Sequence, residues 1–212
     1  MSLRAVIFDY GKVISLPADA ADHAEMVRLS GLESLLFDNY YWKFRDEYDG
    51  GFLTCAEYFR KIVATAGAAP LPDQTITAMV EADCRMWTHL NPPMLEWVAS
   101  VRQAGYKLGI LSNLGEALVR YMTAQFPWLD QFDSLMWSSE HKLFKPQPEI
   151  YRITLNRLDV EPNEAIFIDD KPENILAAEA CGMEGLVFTT YEALPSQLTG
   201  HELLATLPNT LR

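Results

Sequence analysis

The 212-residue sequence lacks the features that mark secreted, membrane and nucleic-acid-binding proteins. Its three cysteines are an odd number without metal-type spacing, which predicts reduced thiols in a cytoplasmic protein. No apolar run approaches the roughly 18 residues of a membrane helix, and the N-terminus has no signal-peptide pattern. Basic residues are scarce, with 17 Lys and Arg against 29 Asp and Glu. The resulting net charge of −12 argues against nucleic-acid and anionic membrane partners, because like charges repel.

Motifs for the common cofactors are also missing. The sequence contains no GxGxxG or GxxxxGK[ST] segment, so it predicts neither a dinucleotide site nor a P-loop. The four histidines are scattered and do not form a zinc motif. A small phosphorylated ligand remains compatible with an acidic chain, because a divalent cation can join two negative partners.

Short apolar runs predict the strands of a parallel sheet. Four runs lie at residues 5–8, 108–111, 165–168 and 186–188, and a weaker one lies at 134–137. None alternates polar with apolar residues, which indicates strands that are buried on both faces. Helical patterns between them begin near Pro92, Leu114, Pro148 and Glu173. This alternation predicts an α/β fold with a Rossmann-like parallel sheet as its core.

Residues 16–90 interrupt the alternation with helical patterns that are rich in aromatic residues. We therefore expect a catalytic core made of residues 1–15 and 91–212, with residues 16–90 inserted as a helical subdomain. Two polar or aromatic side chains of this insertion, Trp42 and Arg45, allow two interpretations. They either face a substrate, or pack within the helices and form surface ion pairs.

Polar side chains follow the predicted strands, and several of them are suited to phosphoryl transfer. They are Asp9, Ser112, Asn113, Lys145, Asp169 and Asp170. Because ligands bind beyond the carboxyl ends of the strands in open parallel sheets, these groups are expected to share one site. Three carboxylates at one edge repel each other unless a cation joins them, and oxygen ligands suit Mg²⁺. The mixture predicts a phosphoryl-transfer site with Asp9 as nucleophile.

At these residues the sequence resembles the haloacid dehalogenase superfamily, in its phosphatase branch with a helical cap. Residues 8–14 (FDYGKVI) resemble its first motif, and residues 110–113 (ILSN) resemble the second. Lys145-Pro146 resembles the third motif, and residues 168–175 resemble the fourth. The insertion resembles the cap that this family places after the first strand, where a cap closes over the site and selects the substrate. The resemblance implies a phosphatase that uses Mg²⁺ and acts on a small phosphorylated metabolite. The sequence leaves open whether the protein is a monomer or a homodimer.

The resemblance also assigns roles to individual residues. The implied metal ligands are Asp9, the carbonyl of Gly11, Asp169 and Asp170. The implied catalytic residues are Asp9, Ser112 and Lys145. The implied substrate-binding residues are Ser112, Asn113 and Lys145. Two residues, Asn113 and Asn174, are implied to brace the site.

One position departs from the family pattern. Most phosphatases of the family have a second Asp two residues after the nucleophile, where it serves as general acid and base, but this chain has Gly11. A subgroup that resembles sugar-1-phosphate phosphatases also has glycine there. Loss of a positioned acid costs about 10²–10⁴ in rate for a poor leaving group. We therefore expect a good leaving group, such as an anomeric phosphate, or another acid from the cap, with Lys12 as an alternative.

Two other functions remain open at the level of sequence. A metal-free 2-haloacid dehalogenase also lacks the second Asp and would use Asp9 to attack carbon, although Asp169 and Asp170 favour metal binding. A phosphate-binding or regulatory protein that has lost turnover through Gly11 would still bind Mg²⁺ and a phosphate mimic.

Overall fold

A computed structural model of the chain describes residues 2–211. Within this range five strands form one parallel sheet in the order β3-β2-β1-β4-β5. The strands are β1 (Ala5–Phe8), β2 (Lys107–Ser112), β3 (Ser134–Trp137), β4 (Ala165–Asp169) and β5 (Glu184–Val187). The predicted α/β fold with a parallel sheet is confirmed. The last strand begins two residues before the apolar run that predicted it.

Alternate residues of β1 enter two different hydrophobic cores. Val6 and Phe8 belong to a core that also contains the aromatic residues of the inserted helices. Ala5 and Ile7 belong to a second core on the opposite face of the sheet. All four side chains are fully buried. Because neighbouring residues of a strand point to opposite faces, burial on both faces requires the unbroken apolar run that the sequence shows.

Five α-helices lie between β1 and the helix that leads into β2. They are α1 (Ala20–Ser30), α2 (Ser34–Lys43), α3 (Arg45–Asp49), α4 (Cys55–Thr65) and α5 (Asp73–Met86). The start of α4 is set by a capping box, in which Thr54 and Glu57 bond each other's main chain. Its apolar residues recur on one side and are buried against α5 and α2. We refer to residues 16–90 as the cap.

Six α-helices accompany the sheet. They are α6 (Pro92–Gln103), α7 (Glu116–Gln125), α8 (Ser138–His141), α9 (Pro148–Leu158), α10 (Pro172–Ala180) and α11 (Leu194–Gln197). Three of them begin at prolines. Proline has no backbone N–H, and it fits the first helical turn because N–H groups there have no acceptor within the helix. None of the helices in residues 2–211 has the length and apolar character that a membrane crossing requires.

The chain leaves the core and returns to it through two segments that lie side by side. Ser15 and Leu90 form an antiparallel bridge, and the Leu16 N–H donates a hydrogen bond to the His89 carbonyl at 2.7 Å. The two chain connections between cap and core therefore lie next to each other, a few residues beyond the end of β1.

Candidate active site

Asp9 is the first residue after β1, and the surrounding elements hold one of its carboxylate oxygens. The Asp9 N–H donates to the Ile168 carbonyl at 2.8 Å, which extends the pairing of β1 with β4. Asp9 Oδ1 accepts hydrogen bonds from Tyr10 N at 2.7 Å and Ser112 Oγ at 2.6 Å, and it forms an ion pair with Lys145 Nζ at 2.8 Å. Asp9 Oδ2 has no hydrogen-bond partner within residues 2–211. The carboxylate is thus oriented through one oxygen, while the other remains available for chemistry.

Lys145 lies between two carboxylates. Its Nζ is 2.8 Å from Asp9 Oδ1 and 2.6 Å from Asp169 Oδ2, and the side chain is almost completely buried. Burial disfavours the charged amine, but the two carboxylates outweigh it and raise the pKa of Lys145 above its usual value. Asp169 also accepts hydrogen bonds from Lys171 N at 2.8 Å and Asn174 Nδ2 at 3.0 Å. Asp169 therefore fixes the position of Lys145.

Three carboxylates meet at the predicted edge of the sheet. One oxygen each of Asp9, Asp169 and Asp170 lies within 4.8 Å of the other two. Burial raises the pKa of Asp9 to about 6, and Lys145 opposes this shift while Asp169 adds to it. A divalent cation favours the charged forms of such a set, and an all-oxygen donor set suits Mg²⁺. The residues present therefore fit a magnesium ion.

The turn after Asp9 carries Gly11 and Lys12. Lys12 has a positive φ of 60°, and its Nζ lies 3.3 Å from Asp170 Oδ2. The side-chain direction of Lys12, which the sequence did not predict, is therefore toward Asp170. Gly11 has φ −65°, and a Cβ added there would meet nothing within 4 Å. Neither backbone conformation nor space requires a glycine at this position.

Asn113 holds the loop that carries Lys145. Its Oδ1 accepts from Lys145 N at 2.8 Å, and its Nδ2 donates to the Lys145 carbonyl at 3.0 Å. These two bonds use the side-chain acceptor and one of the two amide hydrogens. The sequence predicts that Asn113 contacts the substrate, and its second amide hydrogen is the donor that could make this contact.

The predicted site residues come together around one cavity of about 200 Å³. Those that line it are Asp9, Gly11, Ser112, Asn113, Lys145, Asp170 and Asn174. Asp169 does not line the cavity and contacts it through Lys145. Residues as far apart in the sequence as Asp9 and Asn174 are thus brought together by the parallel pairing of β1 with β2 and β4.

The cap supplies the opposite wall of this cavity, most of which the sequence did not indicate. Trp42 and Arg45, whose roles the sequence left open, both line it, together with Asp46, Asp49 and Trp87. The available signal was the four-residue spacing of Arg45 and Asp49, which places them on one helix face as an ion pair. Trp87 follows the end of α5 and had no sequence signal.

The family model of haloacid dehalogenase-like hydrolases matches residues 4–182. This range contains β1, the cap and every strand end that contributes to the cavity. The chain therefore belongs to the haloacid dehalogenase-like hydrolases, as the sequence motifs suggested.

Sequence and structure comparisons identify relatives with different activities. The chain is 28% identical over 200 residues to the bifunctional epoxide hydrolase 2 of Rattus norvegicus, and this covers 86% of the chain but 36% of that protein. The fold matches a haloacid dehalogenase family enzyme of Bacteroides thetaiotaomicron, solved with magnesium and inorganic phosphate, at TM-score 0.71 and 21% identity. That match covers 91% of this chain and 99% of the other.

The fold also matches L-2-haloacid dehalogenase of Xanthobacter autotrophicus, solved with chloropropionic acid covalently bound. Here the TM-score is 0.65 and the identity is 19%, with coverage of 99% of this chain and 86% of the other. One fold thus occurs both in an enzyme solved with magnesium and phosphate and in a dehalogenase, so the fold does not choose between a phosphatase and a dehalogenase.

Proposed function

We propose that this chain is a Mg²⁺-dependent phosphatase that acts on a small phosphorylated metabolite through an aspartyl-phosphate intermediate on Asp9. The observation that supports this most directly is the unequal environment of the Asp9 carboxylate. Oδ1 accepts two hydrogen bonds and pairs with the Lys145 amine, whereas Oδ2 has no hydrogen-bond partner within residues 2–211. Oδ2 is therefore the oxygen oriented for attack.

The proposed reaction proceeds in two displacements at phosphorus. Asp9 Oδ2 attacks, an O–P bond forms, and the bond between phosphorus and the leaving oxygen breaks. Water then attacks the phosphorus of the aspartyl phosphate, which releases inorganic phosphate and returns the Asp9 carboxylate. Without an acid at Gly11, the leaving oxygen departs as an anion or takes its proton from water. This favours substrates whose leaving group is stable as an anion.

The neighbouring groups address the main obstacle, which is repulsion between a carboxylate and a phosphate dianion. Lys145 supplies a buried positive charge 2.8 Å from Asp9, and Ser112 orients Asp9 Oδ1. Asp9, Asp170 and the Gly11 carbonyl would hold Mg²⁺, with Asp169 directly or through water. The bound ion would supply positive charge for the phosphoryl oxygens.

A 2-haloacid dehalogenase is the second candidate, because Gly11 removes the acid that a typical phosphatase of the family carries. A dehalogenase would also use the Asp9 carboxylate as nucleophile, but its substrate carries no phosphate dianion whose charge has to be neutralised. A metal-free dehalogenase would place the carboxylates of Asp9, Asp169 and Asp170 within ligand distance of each other without a metal ion to offset their mutual repulsion. This argument favours the phosphatase.

The decisive experiment measures two products with one enzyme preparation. We expect nitrophenol release from p-nitrophenyl phosphate with Mg²⁺ and its loss with a chelator. We expect Asp9→Asn to lower this rate by about 10⁴-fold or more, the scale seen when a nucleophile or its partner is removed. Halide release from 2-chloropropionate should be absent.

The matched control is Asp159→Asn, the same chemical change at an exposed carboxylate beside Lys107. It should leave the rate unchanged. Halide release without metal would contradict the phosphatase and show that the chain is a dehalogenase. Silence in both assays, with retained binding of a phosphate mimic such as vanadate, would instead indicate a phosphate-binding protein.

A further inference from the structure

The cap wall of the cavity contains an arginine that is held by protein carboxylates. Arg45 Nε donates to Asp49 Oδ2 at 2.9 Å, and Arg45 Nη1 donates to Asp83 Oδ1 at 2.9 Å. Nη1 also donates to Tyr41 Oη at 2.5 Å, and the side chain is 7% exposed. The guanidinium carbon lies 5.2 Å from the centre of the Tyr48 ring. Arg45 is therefore fixed in place and is not free to swing toward a substrate carboxylate.

The charges of this cluster do not cancel. One guanidinium faces two buried carboxylates, because Asp83 is fully buried and Asp49 is nearly so. Asp49 Oδ1 and Asp83 Oδ2 are buried oxygens without a hydrogen-bond partner within residues 2–211. Asp46, an exposed residue of α3, lines the cavity together with Asp49, whereas the buried Asp83 does not. The cap wall thus has a net negative charge despite its arginine.

Positive charges elsewhere in the cavity do not compensate for this wall. Three lysines line the cavity: Lys145 pairs with Asp9 and Asp169, Lys12 Nζ lies 3.3 Å from Asp170 Oδ2, and Lys171 follows Asp170 in the chain. Their charge acts at the end of the cavity where the carboxylate cluster would bind a phosphoryl group. The cap end, where a leaving group would lie, keeps its negative charge.

Size and aromatic surface limit the leaving group further. The cavity of about 200 Å³ is smaller than the roughly 300–1,000 Å³ of pockets that take drug-sized ligands. Trp42 lines it with an indole that is 57% exposed, an unusual exposure for so large an apolar side chain. A leaving group in contact with Trp42 would cover this surface with its C–H groups, while its hydroxyls donate to carboxylates.

We propose that Arg45, Asp46 and Asp49 form a charge-selective wall that admits a small uncharged, hydroxyl-bearing leaving group and excludes one with a second anionic group. This inference rests on the proposed phosphatase function, because it concerns the leaving-group end of the same cavity. Arg45 acts in it as a positioning residue, and Asp49 and Asp46 determine specificity through their charge.

The test compares two phosphate esters that differ at one group. Glycerol 3-phosphate ends in a neutral hydroxymethyl group, and 3-phosphoglycerate carries a carboxylate at that position. We expect kcat/KM to be at least about tenfold higher for glycerol 3-phosphate, a ratio that corresponds to about 1.4 kcal/mol. Asp49→Asn removes one negative charge from the wall and should bring this ratio close to one.

Two further variants separate charge from folding. Asp46→Asn changes an exposed side chain that makes none of the buried hydrogen bonds of the cluster. The kcat/KM ratio of the two esters should therefore decrease in this variant, and the test remains possible if Asp49→Asn does not fold. Glu47→Gln is the matched control, because it lies on the same helix and pairs with Lys61 outside the cavity. It should leave the ratio at the wild-type value.

The outcomes distinguish this inference from the proposed function. If p-nitrophenyl phosphate is not hydrolysed with Mg²⁺, the phosphatase itself is wrong. If it is hydrolysed, a wild-type preference for 3-phosphoglycerate, or a ratio unchanged in both Asp variants, overturns the charge-selective wall. Faster hydrolysis of phosphocholine than of glycerol 3-phosphate overturns the assignment of an uncharged leaving group.

Discussion

A glycine occupies the position two residues after Asp9, and nothing in its surroundings demands one. Its φ of −65° is accessible to every residue, and an added Cβ would meet no atom within 4 Å. Backbone strain and lack of space therefore do not explain the glycine. At the scale of the residue, Gly11 is the position where a single substitution should change the range of substrates.

Gly11→Asp should introduce the absent general acid. We expect kcat/KM for glycerol 3-phosphate to rise by about 10²-fold, the lower end of what a positioned acid contributes. The rate for p-nitrophenyl phosphate should change little, because nitrophenolate leaves without protonation. Gly11→Asn, with the same shape and no acid, is the control and should show no gain. An equal gain in both variants would mean that added contacts, not proton transfer, limit the rate.

Lys145 illustrates how the site stabilises charge in its interior. The amine contacts carboxylates on two sides, at 2.8 Å from Asp9 and 2.6 Å from Asp169. Removing one partner of such a buried set leaves an uncompensated charge, which costs about 3–5 kcal/mol. The lysine that we propose as catalytic thus also stabilises the fold, so loss of activity in a Lys145 variant needs a stability measurement beside it.

At the scale of elements, the short helix α3 docks the cap on the core. Ser138 Oγ, at the start of α8 directly after β3, donates to the Asp49 carbonyl at 2.5 Å and accepts from Leu114 N at 2.9 Å. Nearby, the Tyr48 ring lies so close to Gly115 that an added Cβ would come within 2.0 Å of it. The glycine before α7 therefore permits the approach of α3 to the core.

Gly115→Ala should push α3 away from the core without touching the reacting groups. A shift of about 1 Å in a positioning element costs on the order of 10²-fold in rate, so we expect kcat/KM to fall by that factor. The measurement is steady-state kinetics on p-nitrophenyl phosphate beside thermal unfolding.

Gly31→Ala is the control for that experiment. Gly31 ends α1 with φ +67° and has no atom within 4 Å of an added Cβ, so alanine there costs about 1–2 kcal/mol through backbone strain alone. It should lower the unfolding temperature but preserve kcat/KM. Equal kinetic losses in both variants would show that stability, not docking, explains Gly115→Ala.

At the scale of the whole molecule, the buried carboxylates set a pH dependence of stability. Burial raises the pKa of Asp49 to about 6, and Arg45 only partly opposes this. Between its unfolded value near 4 and about 6, the folded protein binds more protons at Asp49 than the unfolded chain does. The contribution of Asp49 to the free energy of unfolding is therefore complete below pH 4 and is lost as the pH rises through 6.

Asp49→Asn should remove this dependence. Relative to the wild type, its free energy of unfolding should rise by about 2–3 kcal/mol between pH 4 and pH 7, as expected for a shift of about two pKa units. Urea unfolding at both pH values measures the difference, with Glu47→Gln as the control for removal of an exposed carboxylate from the same helix. A constant difference between variant and wild type across this range would contradict the shifted pKa.

Much of the core was predictable because the relevant signals are local. The apolar runs of β1 and β4 had to be continuous, since both faces of these strands are buried, and the residues that follow them had to lie at one edge. Asp9, Ser112 and Asp169 could therefore be brought together from the order of the sequence alone. The cap wall was not predictable in this way, because helix periodicity does not say which face meets the core.

The amino-acid sequence by itself determined the parallel sheet, the helical insertion and the set of carboxylates at the strand ends, because burial and chain order act locally. Only the tertiary structure decided that Asn113 clamps the Lys145 loop, that Lys12 turns toward Asp170 and that Arg45 is held by two carboxylates. These contacts depend on the distances and angles at which separate elements pack. Such geometry follows from the whole core, and no short segment of sequence carries it.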